Sequence, residues 1–127
     1  MIKQFSIKTS KRNEFIDITA QIQDLVEEVS EGVVTVFVPH TTTAVTINEN
    51  ADPDVPRDIL KKLGELIPQR DNYSHMEGNS DAHIKASLFG SSVRVIIKDG
   101  QLLLGTWQSI FFCEFDGPRN RKFYVQF

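Results

Sequence analysis

The sequence predicts a single domain of the α+β class over residues 1–127, and three observations lead to that prediction. Segments with helical periodicity lie between groups of strand-like segments and do not follow each strand, which favours α+β over a doubly wound parallel sheet. The dipeptide Asp99-Gly100 separates two strand-like segments and is a typical hairpin signal, so the strands should pair antiparallel. A chain of 127 residues without internal repeats or a Gly- and Ser-rich linker has about the length of one domain.

Short apolar alternations and β-branched runs predict the strands. The run from Val33 to Val38 is rich in β-branched residues, so we expect a strand that is covered on both faces and ended by Pro39. A turn at Asp116-Gly117-Pro118 should lead into the last strand. The predicted strands cover residues 2–8, 14–18, 33–38, 43–47, 93–97, the segment from 102 onward, and 122–127.

Three segments carry the apolar spacing of amphipathic helices. The second of them opens with Asp52-Pro53, a capping residue followed by proline at the first helical position. The predicted limits are Thr19 to Gly32, Asp52-Pro53 to Pro68, and about residues 82 to 89, with Ser80 or Asp81 capping the third helix and Gly90 ending it.

The composition is that of an ordinary globular protein, with 40% hydrophobic and 24% charged residues and a net charge of −3. Because no basic block could neutralise phosphates, we expect no nucleic-acid partner. No apolar run approaches the roughly 18 residues that span a bilayer, and no targeting segment is visible, so we expect a cytoplasmic protein without a membrane partner. The single Cys113 lies in an apolar run, and we expect a buried, unreactive thiol.

The three histidines lie near the ends of predicted elements or in a loop, where a rigid scaffold often holds functional residues. His40 follows the strand 33–38, His75 lies in the polar loop 69–80, and His83 lies in the first turn of the third helix. Imidazoles with ordinary pKa values of about 6.5 can bind a metal or pass a proton at neutral pH. The alternative is three solvated or hydrogen-bonded histidines without a common role, because their spacing matches no familiar zinc motif.

Acidic residues could support the histidines. Asp81 and Glu77 could bind a metal or accept a hydrogen bond that fixes an imidazole tautomer. The alternatives are a helix cap for Asp81 and a solvated loop charge for Glu77. Glu49, beside Asn48 at the end of a strand, could act as a general base or metal ligand, or could be a surface acid before the second helix.

Two segments could bind an anion. The start of the third helix at Gly78-Asn79-Ser80-Asp81 presents free N–H groups, and Lys85 lies one turn later. An ordinary capped helix with an exposed lysine is the alternative. Arg119 and Arg121 would point to one face if the last strand has already begun there, and they would suit a phosphate or carboxylate. The alternative is a solvated edge with acidic partners.

Several motifs in one order resemble the YjbQ family, over about residues 33 to 122. They are Pro39-His40-Thr41-Thr42-Thr43-Ala44, Ile47-Asn48-Glu49-Asn50, Asp52-Pro53-Asp54-Val55, Tyr73-Ser74-His75, Glu77-Gly78-Asn79, Ala82-His83-Ile84-Lys85, Leu104-Gly105-Thr106-Trp107-Gln108 and Glu114-Phe115-Asp116-Gly117-Pro118-Arg119. The resemblance implies an α+β fold with a β-sandwich-like core, assembled as a homotrimer.

The resemblance also implies a weak, secondary thiamine-phosphate synthase, which joins a hydroxymethylpyrimidine diphosphate to a thiazole phosphate and releases diphosphate. Such a transferase needs positive charge on the leaving group, usually a divalent metal such as zinc or magnesium with Lys or Arg. The expected catalytic residues are His40, Glu49, His75 and His83; the expected substrate-binding residues are Asn48, Gly78, Asn79, Lys85 and Arg119; the expected metal ligands are His40, His75, His83 and Asp81.

Two other functions stay open at this point. The first is a metal- or metabolite-binding homotrimer whose transferase activity is incidental. The second is a structural trimer without any ligand, which leaves the convergence of polar motifs unexplained.

Overall fold

The computed structural model describes residues 1–127 as three helices and eight strands. In chain order they are β1 (Ile2–Lys8), β2 (Glu14–Asp17), α1 (Thr19–Val26), β3 (Glu31–Phe37), β4 (Thr43–Glu49), α2 (Asp54–Leu66), α3 (Ser80–Phe89), β5 (Ser92–Lys98), β6 (Gln101–Leu102), β7 (Gln108–Glu114) and β8 (Asn120–Gln126). No helix has both the length and the apolar character needed to cross a membrane.

The strands form two antiparallel sheets. The large sheet has the order β1-β8-β3-β5-β6, and the small sheet has the order β2-β7-β4. The Asp99-Gly100 turn joins β5 to β6, with Ile97 opposite Leu102, as the hairpin signal predicts. The α+β class with antiparallel strands is therefore confirmed.

The core lies between the two sheets. Because side chains alternate along a strand, one set from each sheet faces this space. Burial of large members such as Phe112 and Phe123 contributes roughly 1.5–3 kcal/mol each. The buried residues of this core are Ile18, Ile22, Val26, Val34, Val36, Val38, Val45, Val95, Ile97, Ile110, Phe112, Phe123 and Val125.

The small sheet is covered on both faces. Phe111 and Cys113 alternate with the core residues of β7 and face a second apolar cluster with Ala82 and Ala86 of α3. Leu60 and Leu63 of α2 pack against the same cluster. Helix α3 therefore lies on the outer face of the small sheet and turns residues 80, 83 and 87 away from it. This layer carries the candidate site.

The structure corrects one expectation about burial. Strand β3 was expected to be covered on both faces, but only its inner face is buried in the protomer. Val33 is 39% exposed and Phe37 is 43% exposed, because nothing covers the outer face of the large sheet.

Element limits also differ from the predictions. Helix α1 ends at Val26, and Gly32 already lies in β3, where it pairs with Ile97. The segment after Asp99-Gly100 gives only the two-residue strand β6, and the longer strand β7 joins the small sheet. Helix α3 begins at Ser80, two residues before its predicted start.

Candidate functional site

Two depressions meet at His83 on the exposed side of α3. We call the first the histidine pocket; it has a volume of about 470 Å³ and is lined by Tyr73, Ser74, His75, Ser80, His83 and Ile84. We call the second the hydroxyl recess; it has a volume of about 380 Å³ and is lined by His40, Thr41, Thr43, His83, Ala86, Ser87, Gly90 and Ser91. All three histidines therefore border one continuous region, with His83 in the middle.

His75 and His83 lie close enough to act on the same atom. Their ring centroids are 5.5 Å apart and the ring planes are at 86°. An imidazole nitrogen binds zinc at about 2.0–2.1 Å, so two rings that share a tetrahedral ion have centroids roughly 5 Å apart. The pair fits a shared divalent ion after a small adjustment of His75, which lies exposed in the loop between α2 and α3.

The pair is not a complete metal site within one chain. No group of three or more His, Cys, Asp or Glu side chains could hold a metal ion together. Catalytic zinc sites usually have three protein ligands and one open position. The residues therefore fit a metal held by two imidazoles, with further ligands from water, substrate or a second copy of the chain.

His40 is held by the backbone of β8. The pairing of β3 with β8 ends at Phe37, opposite Tyr124, which leaves Lys122 without a β3 partner. The Nε2 atom of His40 takes this place, 3.0 Å from the Lys122 amide nitrogen and 3.1 Å from its carbonyl oxygen. Lys122 can thus donate to an unprotonated Nε2 or accept from a protonated one. The Lys122 backbone can therefore hydrogen-bond to either neutral tautomer of His40. The other ring nitrogen, Nδ1, is a donor in one tautomer and an acceptor in the other.

The surroundings favour the neutral form of His40. Burial of the ring and the nearby positive charge of Arg121 lower the pKa of His40 below its ordinary value. A neutral imidazole at pH 7 can accept a proton from a substrate or bind a metal through its free nitrogen.

Asp81 ties α3 to the loop between β1 and β2. Its Oδ2 accepts hydrogen bonds from Arg12 Nη1 at 2.9 Å and from Lys85 Nζ at 3.0 Å, and its Oδ1 accepts one from Arg12 Nη2 at 3.0 Å. Burial opposes ionisation, but the hydrogen bonds from Arg12 and Lys85 outweigh it, so the pKa of Asp81 is lowered. Metal binding by Asp81 would break these bonds. We therefore assign Asp81 to the orientation of α3.

Lys85 is not the exposed lysine of the sequence-based alternative. Its side chain is 3% exposed, and its Nζ contacts Asp81 and the Oδ1 of Asn13. A substrate phosphate would have to replace these partners, so Lys85 is better assigned to the same anchoring network.

A second polar cluster lies at the start of α3. Asn79 Nδ2 donates to Glu77 Oε2 at 3.0 Å and to Asp116 Oδ2 at 2.9 Å. Arg119 donates to the same Asp116 oxygen at 3.1 Å but keeps about half of its side chain exposed. Gly78 precedes Asn79 with a φ of +80°, a conformation that glycine adopts without strain. Of the expected substrate-binding residues, only Asn79 and Arg119 share this cluster.

The structure does not bring Asn48 and Glu49 to the histidines within one protomer. They end β4, and Thr43, which lines the hydroxyl recess, begins it. At about 3.4 Å per residue the two ends of this strand are roughly 20 Å apart. The Asn48 side chain instead accepts a hydrogen bond from the Glu49 amide.

Two ion pairs that anchor the site were missed by reasoning from the sequence. One is Arg12–Asp81, for which no motif gave a signal. The other joins Arg121 to the fully buried Glu114, with Nη2–Oε2 at 2.6 Å and Nε–Oε1 at 2.8 Å. Because β8 begins at Asn120, Arg119 lies in the turn, and the two arginines do not form one anion-binding face.

Cys113 is buried, as expected, and burial raises the pKa of its thiol. An un-ionised thiol is neither a nucleophile nor a metal ligand, so Cys113 does not belong to the site.

Comparisons with known proteins identify the family of the chain. A family model described as UPF0047 protein YjbQ-like matches residues 3–127. The UPF0047 protein of Methanocaldococcus jannaschii is 57% identical over 128 residues, which cover 99% of this chain and 93% of that protein. UPF0047 protein YugU of Bacillus subtilis is 49% identical and covers 99% of this chain and 98% of its own length.

Solved structures have the same fold. A YjbQ/UPF0047 family protein from Clostridium acetobutylicum superposes with a TM-score of 0.95 at 57% identity, covering 98% of both chains. A YbjQ-like protein from Sulfolobus solfataricus has a TM-score of 0.93 at 32% identity, covering 98% of this chain and 94% of that one. These names state no substrate, so the comparisons establish the family and the fold.

Proposed function

The chain belongs to the YjbQ-like UPF0047 family, and we propose that it is a metal-dependent transferase of the weak thiamine-phosphate synthase type, acting on phosphorylated small molecules. The observation that carries the proposal is the His75–His83 pair, whose ring centroids are 5.5 Å apart at the start of α3. Two convergent imidazoles in an open pocket suit a divalent ion with exchangeable positions.

In this proposal the site stabilises the negative charge of the leaving diphosphate. A divalent ion held by His75 and His83, zinc in the first instance, would neutralise charge on the leaving diphosphate. The start of α3 would help, because helix N-termini favour anions, and Ser80 lines the pocket there. Arg119, half exposed and bonded to Asp116, is the cation of the polar cluster at this helix start that could bind a phosphate.

His40 would move a proton. Its Nδ1 can accept or donate because the Lys122 backbone holds either tautomer. A neutral imidazole that lines the same recess as His83 could act as a general base: it would take a proton from the exocyclic amine of the pyrimidine as the diphosphate leaves, and return it as the thiazole nitrogen bonds to the methylene carbon.

One observation favours a second function, a metal- or metabolite-binding protein with incidental transferase activity. Lys85 and Arg119, the cations expected to bind phosphate, both have acidic partners, and Lys85 is buried. A dedicated diphosphate-releasing enzyme would present unpaired cations to its leaving group. Metal binding without appreciable formation of thiamine phosphate would favour this second function over the transferase.

We also propose that the protein assembles as a homotrimer through the outer face of the large sheet. This face holds a depression of about 500 Å³ lined by three apolar and three polar residues, and it exposes the apolar side chains of Val33, Phe37 and Ile96. Its lining residues are Ile2, Thr35, Phe37, Ser92, Tyr124 and Gln126. A reducing cytoplasm would suit a chain whose one cysteine is a buried thiol.

The test is a turnover measurement with a matched pair of variants. Thiamine phosphate formation is followed from hydroxymethylpyrimidine diphosphate and thiazole phosphate, with zinc or magnesium added. We expect a rate below about 1 s⁻¹, the low end for dedicated enzymes. The double variant His75→Ala, His83→Ala should lose at least about 100-fold, and Leu88→Ala, an exposed residue of the same helix outside both depressions, should not. Equal rates in all three proteins would remove the histidines from the mechanism.

A further inference from the structure

The hydroxyl recess is chemically unlike the histidine pocket. Helix α3 exposes Ser80, His83 and Ser87, which are three and four residues apart and therefore lie on one face. Ser80 lies at the helix start and Ser87 near its end, on opposite sides of His83. A ligand along this face would meet two different environments about one helical turn apart, roughly 5–6 Å.

Thr43 supplies the observation that points to a ligand. It lines the recess, it is 1% exposed, and its hydroxyl has no hydrogen-bond partner in the protein. A buried polar group without a partner costs about 1–3 kcal/mol, so such groups are rare unless something else satisfies them. Thr42, the neighbouring residue, shows the contrast, because its hydroxyl accepts from Arg121 at 2.8 Å.

The lining of the recess defines the chemistry that it would recognise. Four hydroxyl side chains and two imidazoles provide both donors and acceptors, and no lysine, arginine or carboxylate lines it. It also lies toward the C-terminal end of α3, which carries partial negative charge and disfavours anions. An uncharged group rich in hydroxyls would match this lining, and a phosphate would not.

We propose that the hydroxyl recess gives the site a further class of ligand beyond the pyrimidine and thiazole phosphates: a small phosphorylated polyol or sugar that lies along α3, with its uncharged, hydroxyl-bearing part in the recess. The phosphate would lie in the histidine pocket at the helix start, and a hydroxyl of the ligand would bond to Thr43. The position of the phosphate rests on the function proposed above, whereas the recess rests on Thr43 and its own lining.

The key variant is Thr43→Val, which removes the hydroxyl and keeps the shape. Because the hydroxyl has no partner in the free protein, its loss should raise the melting temperature by about 2–6 °C. The same variant should bind ribose 5-phosphate about 10-fold more weakly, because one hydrogen bond to the ligand is lost. Its affinity for inorganic phosphate should be unchanged.

Thr41→Val and Ser91→Ala test the recess at exposed positions, where folding is not at risk. Thr106→Val, at an exposed turn residue outside both depressions and outside the outer face of the large sheet, is the control and should change neither affinity.

The measurement is calorimetric titration of the zinc-supplemented protein with ribose 5-phosphate, glycerol 3-phosphate and inorganic phosphate. We expect ribose 5-phosphate to bind at least about 10-fold more tightly than inorganic phosphate, with that advantage lost in Thr43→Val. The proposal is overturned if inorganic phosphate binds as tightly as the polyol phosphates. It is also overturned if the three recess variants keep full affinity, or if Thr43→Val weakens both ligands equally.

Zinc titration of the same samples separates this inference from the proposed function. If the protein binds no zinc but still binds ribose 5-phosphate more tightly than inorganic phosphate, the metal-dependent transferase is rejected and the recess proposal stands. If the protein binds stoichiometric zinc and turns over, but binds ribose 5-phosphate no more tightly than inorganic phosphate, the transferase stands and the recess proposal is rejected.

Discussion

At the scale of single residues, the position of the site depends on the hydrogen bonds of one buried carboxylate, Asp81. Asp81 is fully buried, yet each of its oxygens accepts a hydrogen bond from Arg12, and Lys85 adds a third bond. Such an ion pair is not strong evidence for stability, but removing one partner leaves buried charges without compensation. Asp81 therefore fixes where α3, and with it His83, can lie.

We predict that Asp81→Asn lowers the free energy of unfolding by about 3–5 kcal/mol, measured by urea titration. Asp54→Asn is the control, because Asp54 pairs with Arg57 on the surface, where an ion pair contributes about 0–1 kcal/mol. The pH dependence has a definite sign. Because the pKa of Asp81 is lowered in the fold, its contribution is present above its unfolded value of about 3.9 and is lost as pH falls through the folded value. Equal losses in the two variants would contradict the anchoring role.

A second prediction concerns His40. Its pKa should lie below the ordinary 6.5 because the ring is partly buried and faces the charge of Arg121. Proton binding is then weaker in the folded than in the unfolded state, so stability should fall as pH drops below about 6.5. Titration by NMR of the histidine ring signals measures the pKa directly, and His40→Gln should flatten the fall in stability that begins as the pH drops below about 6.5. A His40 pKa at or above 6.5 would contradict this account.

At the scale of elements, local patterns predicted most of the fold. Strand β1 has its predicted limits, the DG hairpin forms, and the region between α2 and α3 lacks regular structure, as its polar composition indicated. Errors occurred where tertiary pairing decides. The outer face of β3 has the apolar pattern of a covered strand, and only the sheet order shows it to be uncovered in the protomer.

The β5–β6 hairpin gives the element-scale prediction. Gly100 has a φ of +73°, and a Cβ there would collide with the backbone carbonyl of Glu27. Gly100→Ala should therefore lower the free energy of unfolding by at least about 2 kcal/mol. Gly64→Ala, in α2 with open space around it, should instead raise it by about 0.5–1 kcal/mol. Chemical unfolding of both variants tests the pair, and a neutral Gly100→Ala would contradict the close packing of this turn against Glu27.

At the scale of the whole molecule, the sequence predicted part of the site. It singled out all three histidines, and the fold places them around one region because α3 packs against β4, which begins three residues after His40. It also grouped Asn48 and Glu49 with them, but a straight strand keeps these residues roughly 20 Å from Thr43. No local pattern reveals such a separation, and none indicated the partner of Asp81, which comes from 69 residues earlier in the chain.

Assembly is the next prediction at this scale. If the outer face of the large sheet is the subunit interface, Phe37→Glu should convert the trimer to a monomer without unfolding it, since Phe37 is 43% exposed in the protomer. Leu88→Glu, at an even more exposed apolar residue of α3, is the control and should stay trimeric. Size-exclusion chromatography with light scattering measures both, and a wild-type monomer would contradict the proposed trimer.

The most direct test of the central claim is the metal content of the purified protein by elemental analysis, beside the His75→Ala, His83→Ala double variant. We expect a divalent metal, zinc first, at about one ion per chain in the wild type and its loss in the double variant, with circular dichroism unchanged. Metal that is absent from both proteins after zinc supplementation, or retained in both, would contradict a metal site at this histidine pair.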